Sequence, residues 1–211
     1  MPRRRVTRAA IPRKTIYRLS IYFRCLQRLR NNAMATVSSE ALARAAGVKP
    51  TQLRKDLAHF GQFGTRGLGY DVSQLADMIS DVLGNQTLQP VILIGAGNLG
   101  SALLTYGGFA KEGFEIVAAF DADPARLRAR SRVQILPMDS LETKIREHSV
   151  RMAILCVPAA AAQEIANRLF DAGIGGILNF APIVIHTPED VMVNNVNLAI
   201  ELENLSYFIQ G

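Results

Sequence analysis

Residues 91–100 read Val-Ile-Leu-Ile-Gly-Ala-Gly-Asn-Leu-Gly. Four consecutive apolar residues, three of them β-branched, predict a strand buried on both faces. Gly95-Ala96-Gly97-Asn98-Leu99-Gly100 then satisfies the G-x-G-x-x-G spacing of a dinucleotide-binding turn. Each glycine has a separate task in that chemistry. Gly95 admits the tight turn, Gly97 lets the backbone approach a pyrophosphate, and Gly100 lets the next helix pack on its strand with its N-terminus toward the phosphates. Glycine spacings also arise by chance, so the neighbouring chain must decide.

It does so at Asp121. This acid stands 21 residues beyond Gly100, at the end of the apolar run Glu115-Ile116-Val117-Ala118-Ala119-Phe120. A carboxylate about 20 residues past the glycines is where the adenosine ribose is held. Like-charge repulsion with a 2′-phosphate favours NAD(H) over NADP(H). Arg126 and Arg128 would suit that phosphate, although a solvated helix face explains them more simply.

Further along, a helix of small and apolar residues runs to about Tyr106 and is interrupted by Gly107-Gly108. Asp123-Pro124 opens another helix, and residues 133–136 form a short strand. Met152-Ala153-Ile154-Leu155-Cys156-Val157 is a longer buried strand, stopped by Pro158. An Ala-rich helix over 159–170 follows, then the strand Ile177-Leu178-Asn179 and Phe180-Ala181-Pro182. Strands alternating with helices predict an α/β, doubly wound parallel sheet of Rossmann type, with the strand C-termini facing the nucleotide. Residues 196–209 place Leu198, Leu202, Leu205 and Ile209 on one helical face, with Phe208 nearby. That face either folds back on its own sheet or docks on a second subunit.

The N-terminal third differs in charge. Residues 1–66 hold 15 Lys/Arg against Glu40 and Asp56, net +13; the remainder is net −7, within a chain of +6. This asymmetry predicts two domains with different partners, the first attracting a polyanion; on charge alone a solvated basic face or a membrane-surface patch fits as well. Residues 1–11 form an Arg-rich arm without structure of its own. A helix begins at Pro12, with Ile16, Leu19, Phe23, Leu26 and Leu29 at spacings of three and four, and Asn31-Asn32 ends it. Ser38 suits the N-cap of a short helix that Gly47 stops, and Pro50 the first position of a third.

In that third helix Leu53, Leu57 and Phe60 share one face. Thr51, Lys55 and Ala58 lie opposite, flanked by Arg54, Gln52 and His59. An apolar seam backed by short polar and cationic side chains is the layout of a recognition helix, which makes Thr51, Gln52, Arg54, Lys55 and His59 candidates for duplex DNA contacts. Gly61 to Tyr70 carries four glycines and suggests a wing hairpin with Thr65, Arg66 and Gly67 at its tip, Arg66 reaching a phosphate or the minor groove. Val72, Leu75, Ile79 and Leu83 mark one more helix, closed by Gly84. The expected boundaries are an arm over 1–11, a winged-helix domain over 12–84, a linker over 85–90, a nucleotide domain over 91–195 and a terminal helix over 196–211.

Several function classes are disfavoured. No apolar run reaches the roughly 18 residues of a membrane span, and the basic N-terminus lacks the apolar core of a secretory signal. Cys25 and Cys156 are far apart and lack metal-ligand spacing, which suggests a reducing, cytoplasmic setting and no metal. A dehydrogenase needs a proton donor or acceptor beside the hydride. Of the three histidines, His59 belongs to the DNA helix, His148 precedes a strand at the edge away from the ligand, and His186 is a surface residue. Little chain remains for a substrate domain. A binding module is favoured over an enzyme.

Arg54-Lys55-Asp56-Leu57, Phe60-Gly61, Gly64-Thr65-Arg66-Gly67 and Gly69-Tyr70 resemble the winged-helix signature of the Rex redox-sensing transcriptional repressors. The run from Gly95 to Leu103, Phe120-Asp121-Ala122-Asp123-Pro124, Val157-Pro158 and Ile177-Leu178-Asn179-Phe180-Ala181-Pro182 are similar to the cofactor domain of that family. The resemblance spans residues 12 to 209. It implies a homodimer whose C-terminal helix is exchanged between subunits, an inverted-repeat operator, and release of that operator when NADH replaces NAD⁺. It also implies that Asp123, Val157, Pro158, Asn179, Phe180, Ala181 and Pro182 join the glycine turn and Asp121 around the cofactor. Tyr106 matches the family's tyrosine near the nicotinamide, and Arg24 an arginine of the first helix that joins the switch. Asn197 stands where some relatives have an aspartate; it can hydrogen-bond but brings no charge, so a switch with weaker or differently distributed coupling is expected.

Overall fold

A computed structural model describes residues 11–61, 63–64, 68–84, 87–123 and 133–209. The chain divides into two compact units, Met1–Thr87 and Leu88–Gly211. The Arg-rich arm, the wing tip at Thr65, Arg66 and Gly67, and the helix expected from Pro124 with Arg126 and Arg128 lie outside the described residues.

The first unit contains α1 (Arg13–Asn31), β1 (Thr36–Val37), α2 (Ser39–Ala45), α3 (Pro50–Ala58), β2 (Tyr70–Asp71) and α4 (Val72–Leu83). The local signals act as physical chemistry requires. The Ser38 hydroxyl accepts from the Ala41 amide at 3.1 Å, a cap worth about 1 kcal/mol. Gly47, at φ +68°, ends α2 in the left-handed region, and Pro50 opens α3. Asp71 caps α4 through the Gln74 amide at 2.8 Å. Leu19 and Leu26 of α1, Leu42 of α2, Leu53 and Leu57 of α3, and Leu75 and Ile79 of α4 close one core.

Two features differ from expectation. The buried side of α1 is Thr15, Leu19, Tyr22 and Leu26, while Ile16, Phe23 and Leu29 are only half-buried. The seam is rotated because Thr15 and Tyr22 serve a buried carboxylate on α3, described below. β2 pairs antiparallel with β1, ahead of the helix-turn-helix, in the register Val37↔Tyr70. Residues 36–37 carry no strand signal of their own.

The second unit contains β3 (Gln89–Ile94), α5 (Asn98–Thr105), α6 (Gly108–Lys111), β4 (Phe114–Asp121), β5 (Ile135–Pro137), α7 (Leu141–Glu147), β6 (Met152–Leu155), α8 (Ala159–Asp171), β7 (Gly176–Asn179), β8 (Met192–Asn195) and α9 (Leu198–Ile209). The six strands pair in parallel in the order β5-β4-β3-β6-β7-β8, so the direction of winding reverses between β3 and β6. Ile92, Ile94, Phe120 and Leu155 point to the face that also packs Leu141, Ile145, Ala162 and Leu169. Val91, Leu93, Ala119 and Ile154 point to the other, with Leu104. Burial on both sides explains the unbroken apolar runs. α6, α7 and β8 have no counterpart in the sequence reading, each being only four to seven residues long. β3 begins at Gln89, so the last two residues read as linker are strand. No residue of α9 is buried.

Candidate nucleotide crevice and nucleic-acid helix

The reversal of winding places a crevice outside the carboxyl ends of β3 and β6, where open α/β sheets bind ligands. Register brings the relevant residues level there. Ile94 lies opposite both Phe120 and Leu155, and Leu155 opposite Asn179. Gly95, Asp121, Cys156 and Phe180 therefore follow one another along a single edge.

The glycine turn fits its expected chemistry position by position. Gly95 has φ +93°, and a β-carbon there would collide with the Cys156 carbonyl. A β-carbon on Gly100 would overlap the Gly95 carbonyl, so α5 can approach β3 only with glycine at that place. At Gly97 the same atom would meet nothing within 4 Å: it would project into open space of the kind a pyrophosphate fills. α5 has no side-chain cap, and its first closed bond is the Ser101 amide to the Gly97 carbonyl at 2.8 Å. The amides of Asn98, Leu99 and Gly100 thus belong to the open first turn, which favours an anion.

Asp121 is half-buried. One of its oxygens accepts the Ala96 amide at 2.6 Å and the other the Asp123 amide at 2.8 Å. Each oxygen keeps a second lone-pair site, so the pair can still accept the two hydroxyls of a ribose. Val157 is half-buried, and Pro158 is exposed as the residue that starts α8. Burial pushes the neighbouring Cys156 thiol up to about 11, which keeps it protonated at neutral pH.

Tyr106 ends α5, exposed and edge-on to Phe109 with ring centroids 5.1 Å apart. Its ring lies against Gly108, where a β-carbon would overlap it. Phe180 is half-buried, Ala181 buried and Pro182 exposed. The Asn179 side chain, by contrast, is wholly buried and bonded to its own loop and to Asn195 at the end of β8. Gln163 of α8 brackets the far end of that loop: its Oε1 accepts the His186 amide at 2.9 Å, and its Nε2 donates to the His186 carbonyl at 3.0 Å. The sequence holds no signal for that clamp. Asn197 is half-buried, and its Oδ1 accepts from the Ala199 and Ile200 amides at 3.0 and 3.4 Å, the N-cap of α9.

In the first unit Thr51, Arg54, Lys55 and Ala58 form the exposed side of α3, while His59 is half-buried just past its end. Arg54 donates to the Ser39 hydroxyl at 3.0 Å and to Glu40 at 3.4 Å, which steadies α3 against the start of α2. Arg24 lies on the exposed side of α1. Gln52 departs from the layout read in the sequence. Its Nε2 donates to Asp56 at 2.9 Å and faces inward.

Asp56 is only 1 % exposed. Arg18 grips it twice, at 2.6 and 2.7 Å, and Tyr22 and Thr15 add bonds at 2.8 and 3.2 Å. Burial pushes its pKa up, but the hydrogen bonds from Arg18, Tyr22 and Gln52 outweigh that and hold the carboxyl below the usual range. Burial, with Asp56 as acceptor, raises the Tyr22 phenol. α3 is thus bolted to α1 through a charge that the sequence reading counted only as an acid.

Two family models match the chain: one described as "Putative DNA-binding protein N-terminus" over residues 10–58, and one described as "CoA binding domain" over residues 86–183. The redox-sensing transcriptional repressor Rex of Carboxydothermus hydrogenoformans is 47% identical over 201 residues, covering 95% of this chain and 97% of that protein. The chain belongs to the Rex family. Two solved Rex-type structures agree across both units. RSP in complex with NAD⁺ and operator DNA matches with a TM-score of 0.88 and 38% identity over 94% of this chain and 92% of that one. RSP in complex with NADH matches with a TM-score of 0.84 and 36% identity over 95% and 94%. Among the described residues no helix is long and apolar enough to cross a membrane.

Proposed function

We propose that this Rex-family chain is a cytoplasmic homodimer that binds an inverted-repeat operator and releases it when NADH replaces NAD⁺. The observation that carries this reading is the pairing of a dinucleotide crevice with an exposed cationic helix face in one chain. The pyrophosphate is held by Gly95, Ala96, Gly97, Asn98, Leu99 and Gly100, and the adenosine ribose by Asp121 beside Asp123. Val157, Pro158, Phe180, Ala181, Pro182 and Tyr106 line the way to the nicotinamide, and Asn179 shapes that lining from beneath. Thr51, Arg54 and Lys55 address the major groove, with His59 and the wing residues Thr65, Arg66 and Gly67 at its margin. Coenzyme A, named in one family model, carries a ribose 3′-phosphate that the Asp121 carboxylate opposes.

The nicotinamide supplies the signal: planar and cationic when oxidised, neutral when reduced. Nothing in this reading requires hydride transfer, and the chain acts as a sensor rather than an enzyme. A sensor must turn the difference in charge into different spacings of two recognition helices. Moving such an equilibrium from 1:99 to 99:1 takes about 5.5 kcal/mol of differential binding. The exposed face of α9, with Leu198, Leu202, Leu205, Phe208 and Ile209 all more than half exposed, is the surface we assign to exchange with a second subunit. Tyr106, Arg24 and Asn197 form the switch. An aspartate at 197 would cap α9 as asparagine does and add a charge, so this chain keeps the cap without an ion pair.

Operator titration at one fixed salt concentration, with NADH, NAD⁺, NADPH and coenzyme A in turn, tests the reading. NADH releases the operator, NAD⁺ does not, and the other two act weakly. Equal responses to NADH and NAD⁺ would overturn it.

A further inference from the structure

β7 ends at Asn179, and the chain then turns through residues 180–185 along the edge of the crevice. The Phe180 amide is held there by the Leu155 carbonyl of β6 at 2.8 Å. Beneath this loop the Asn179 side chain is 0% exposed. Its orientation is unambiguous, because the Ala181 amide donates to its Oδ1 at 2.9 Å. Its Nδ2 therefore faces three acceptors: the Ile183 carbonyl at 2.9 Å, the Ala181 carbonyl at 3.3 Å and Asn195 Oδ1 at 2.8 Å. A carboxamide has two N–H groups. Three acceptors share two protons, so any displacement of the loop redistributes the bond to Asn195.

Asn195 ends β8, and the next amide, Val196, donates to the Asn179 carbonyl at 2.8 Å. One residue later Asn197 caps α9. The buried amide beneath the cofactor loop is thus joined by a side chain and by backbone to the root of a helix that buries none of its own residues. The direction of such a helix is governed where it is rooted.

We propose that Asn179 and Asn195 form a positioning pair that transmits the state of the loop at residues 180–185 to α9, so that bound NADH is felt by the terminal helix. The proposal rests on the nucleotide reading above. Asn195 is not among the residues assigned to the nucleotide, and it is exposed. The pair could otherwise merely shape the loop, and coupling separates the two cases.

The experiment compares the full-length protein with Asn195→Ala and Asn195→Asp, measuring NADH affinity and operator affinity with and without saturating NADH. Asn195→Ala is expected to bind NADH and, in its absence, the operator as the parent does. Its ratio of operator affinities should shrink roughly three- to tenfold, as expected for one lost hydrogen bond. Asn195→Asp keeps an acceptor facing Asn179 and should restore the ratio. An unchanged ratio in Asn195→Ala, a loss confined to NADH affinity, or an Asp variant no better than Ala would each overturn the proposal. A parent protein that ignores NADH would instead overturn the nucleotide reading.

Discussion

Asp56 and Asp121 are the same side chain put to opposite uses. Asp56 sits on α3 behind the exposed cationic face and receives five hydrogen bonds from Arg18, Thr15, Tyr22 and Gln52. Its lone-pair sites are filled, so it can hold helices together and nothing else. Asp121 stands at the end of β4 and receives two backbone amides, from Ala96 and Asp123. Half its accepting capacity remains for a ligand. A carboxylate saturated by side chains fixes a scaffold; one tethered by backbone and left half-open makes a site. The first unit tolerates this buried charge because a bidentate guanidinium and three further donors offset its desolvation.

The largest effect should come from Asp56→Ala, which leaves the half-buried Arg18 and the buried Tyr22 without their acceptor. A loss of about 3–5 kcal/mol is expected in the denaturant transition of the first unit. The same group predicts acid sensitivity. Its folded pKa lies below the unfolded value near about 3.9, so its contribution is present above that pH and is lost as pH falls further, through the folded value. Unchanged stability in Asp56→Ala would dissolve the distinction between the two acids.

Asp121→Ala should act the other way round. NADH affinity is expected to fall about ten- to a hundredfold, as for lost hydrogen bonds to a charged acceptor, and the margin over NADPH should narrow. Stability should fall less than in Asp56→Ala, by about 1–3 kcal/mol, mainly from the buried Ala96 amide left without its partner. Calorimetric titration with both nucleotides reads the first effect and thermal melting the second; intact affinity would refute the ribose role.

Gln52→Ala gives the smallest and sharpest test. One donor of the Asp56 cage is lost, which should cost about 1 kcal/mol of stability and leave operator sequence preference unchanged. A shifted base preference in a binding-site selection would instead return Gln52 to the set of base-reading residues.

Local signals were enough wherever the chemistry is local. Ser38, Gly47 and Pro50 delimit the short helices through caps and fixed φ values, and the Gly95–Gly100 spacing with Asp121 is legible because the β-α-β unit has a standard length. The alternating sheet of the second unit follows from its apolar runs. What the chain cannot express along its length is pairing between distant residues. That Asp56 faces Arg18 and Tyr22, that Thr36-Val37 completes a strand pair with Tyr70-Asp71, and that Asn179 meets Asn195 are all products of packing. In each case a polar group removed from water must find its partner wherever the fold brings one near. The identities of those partners were therefore decided by the tertiary structure, because a hydrogen bond depends on distance in space and leaves no period in the sequence.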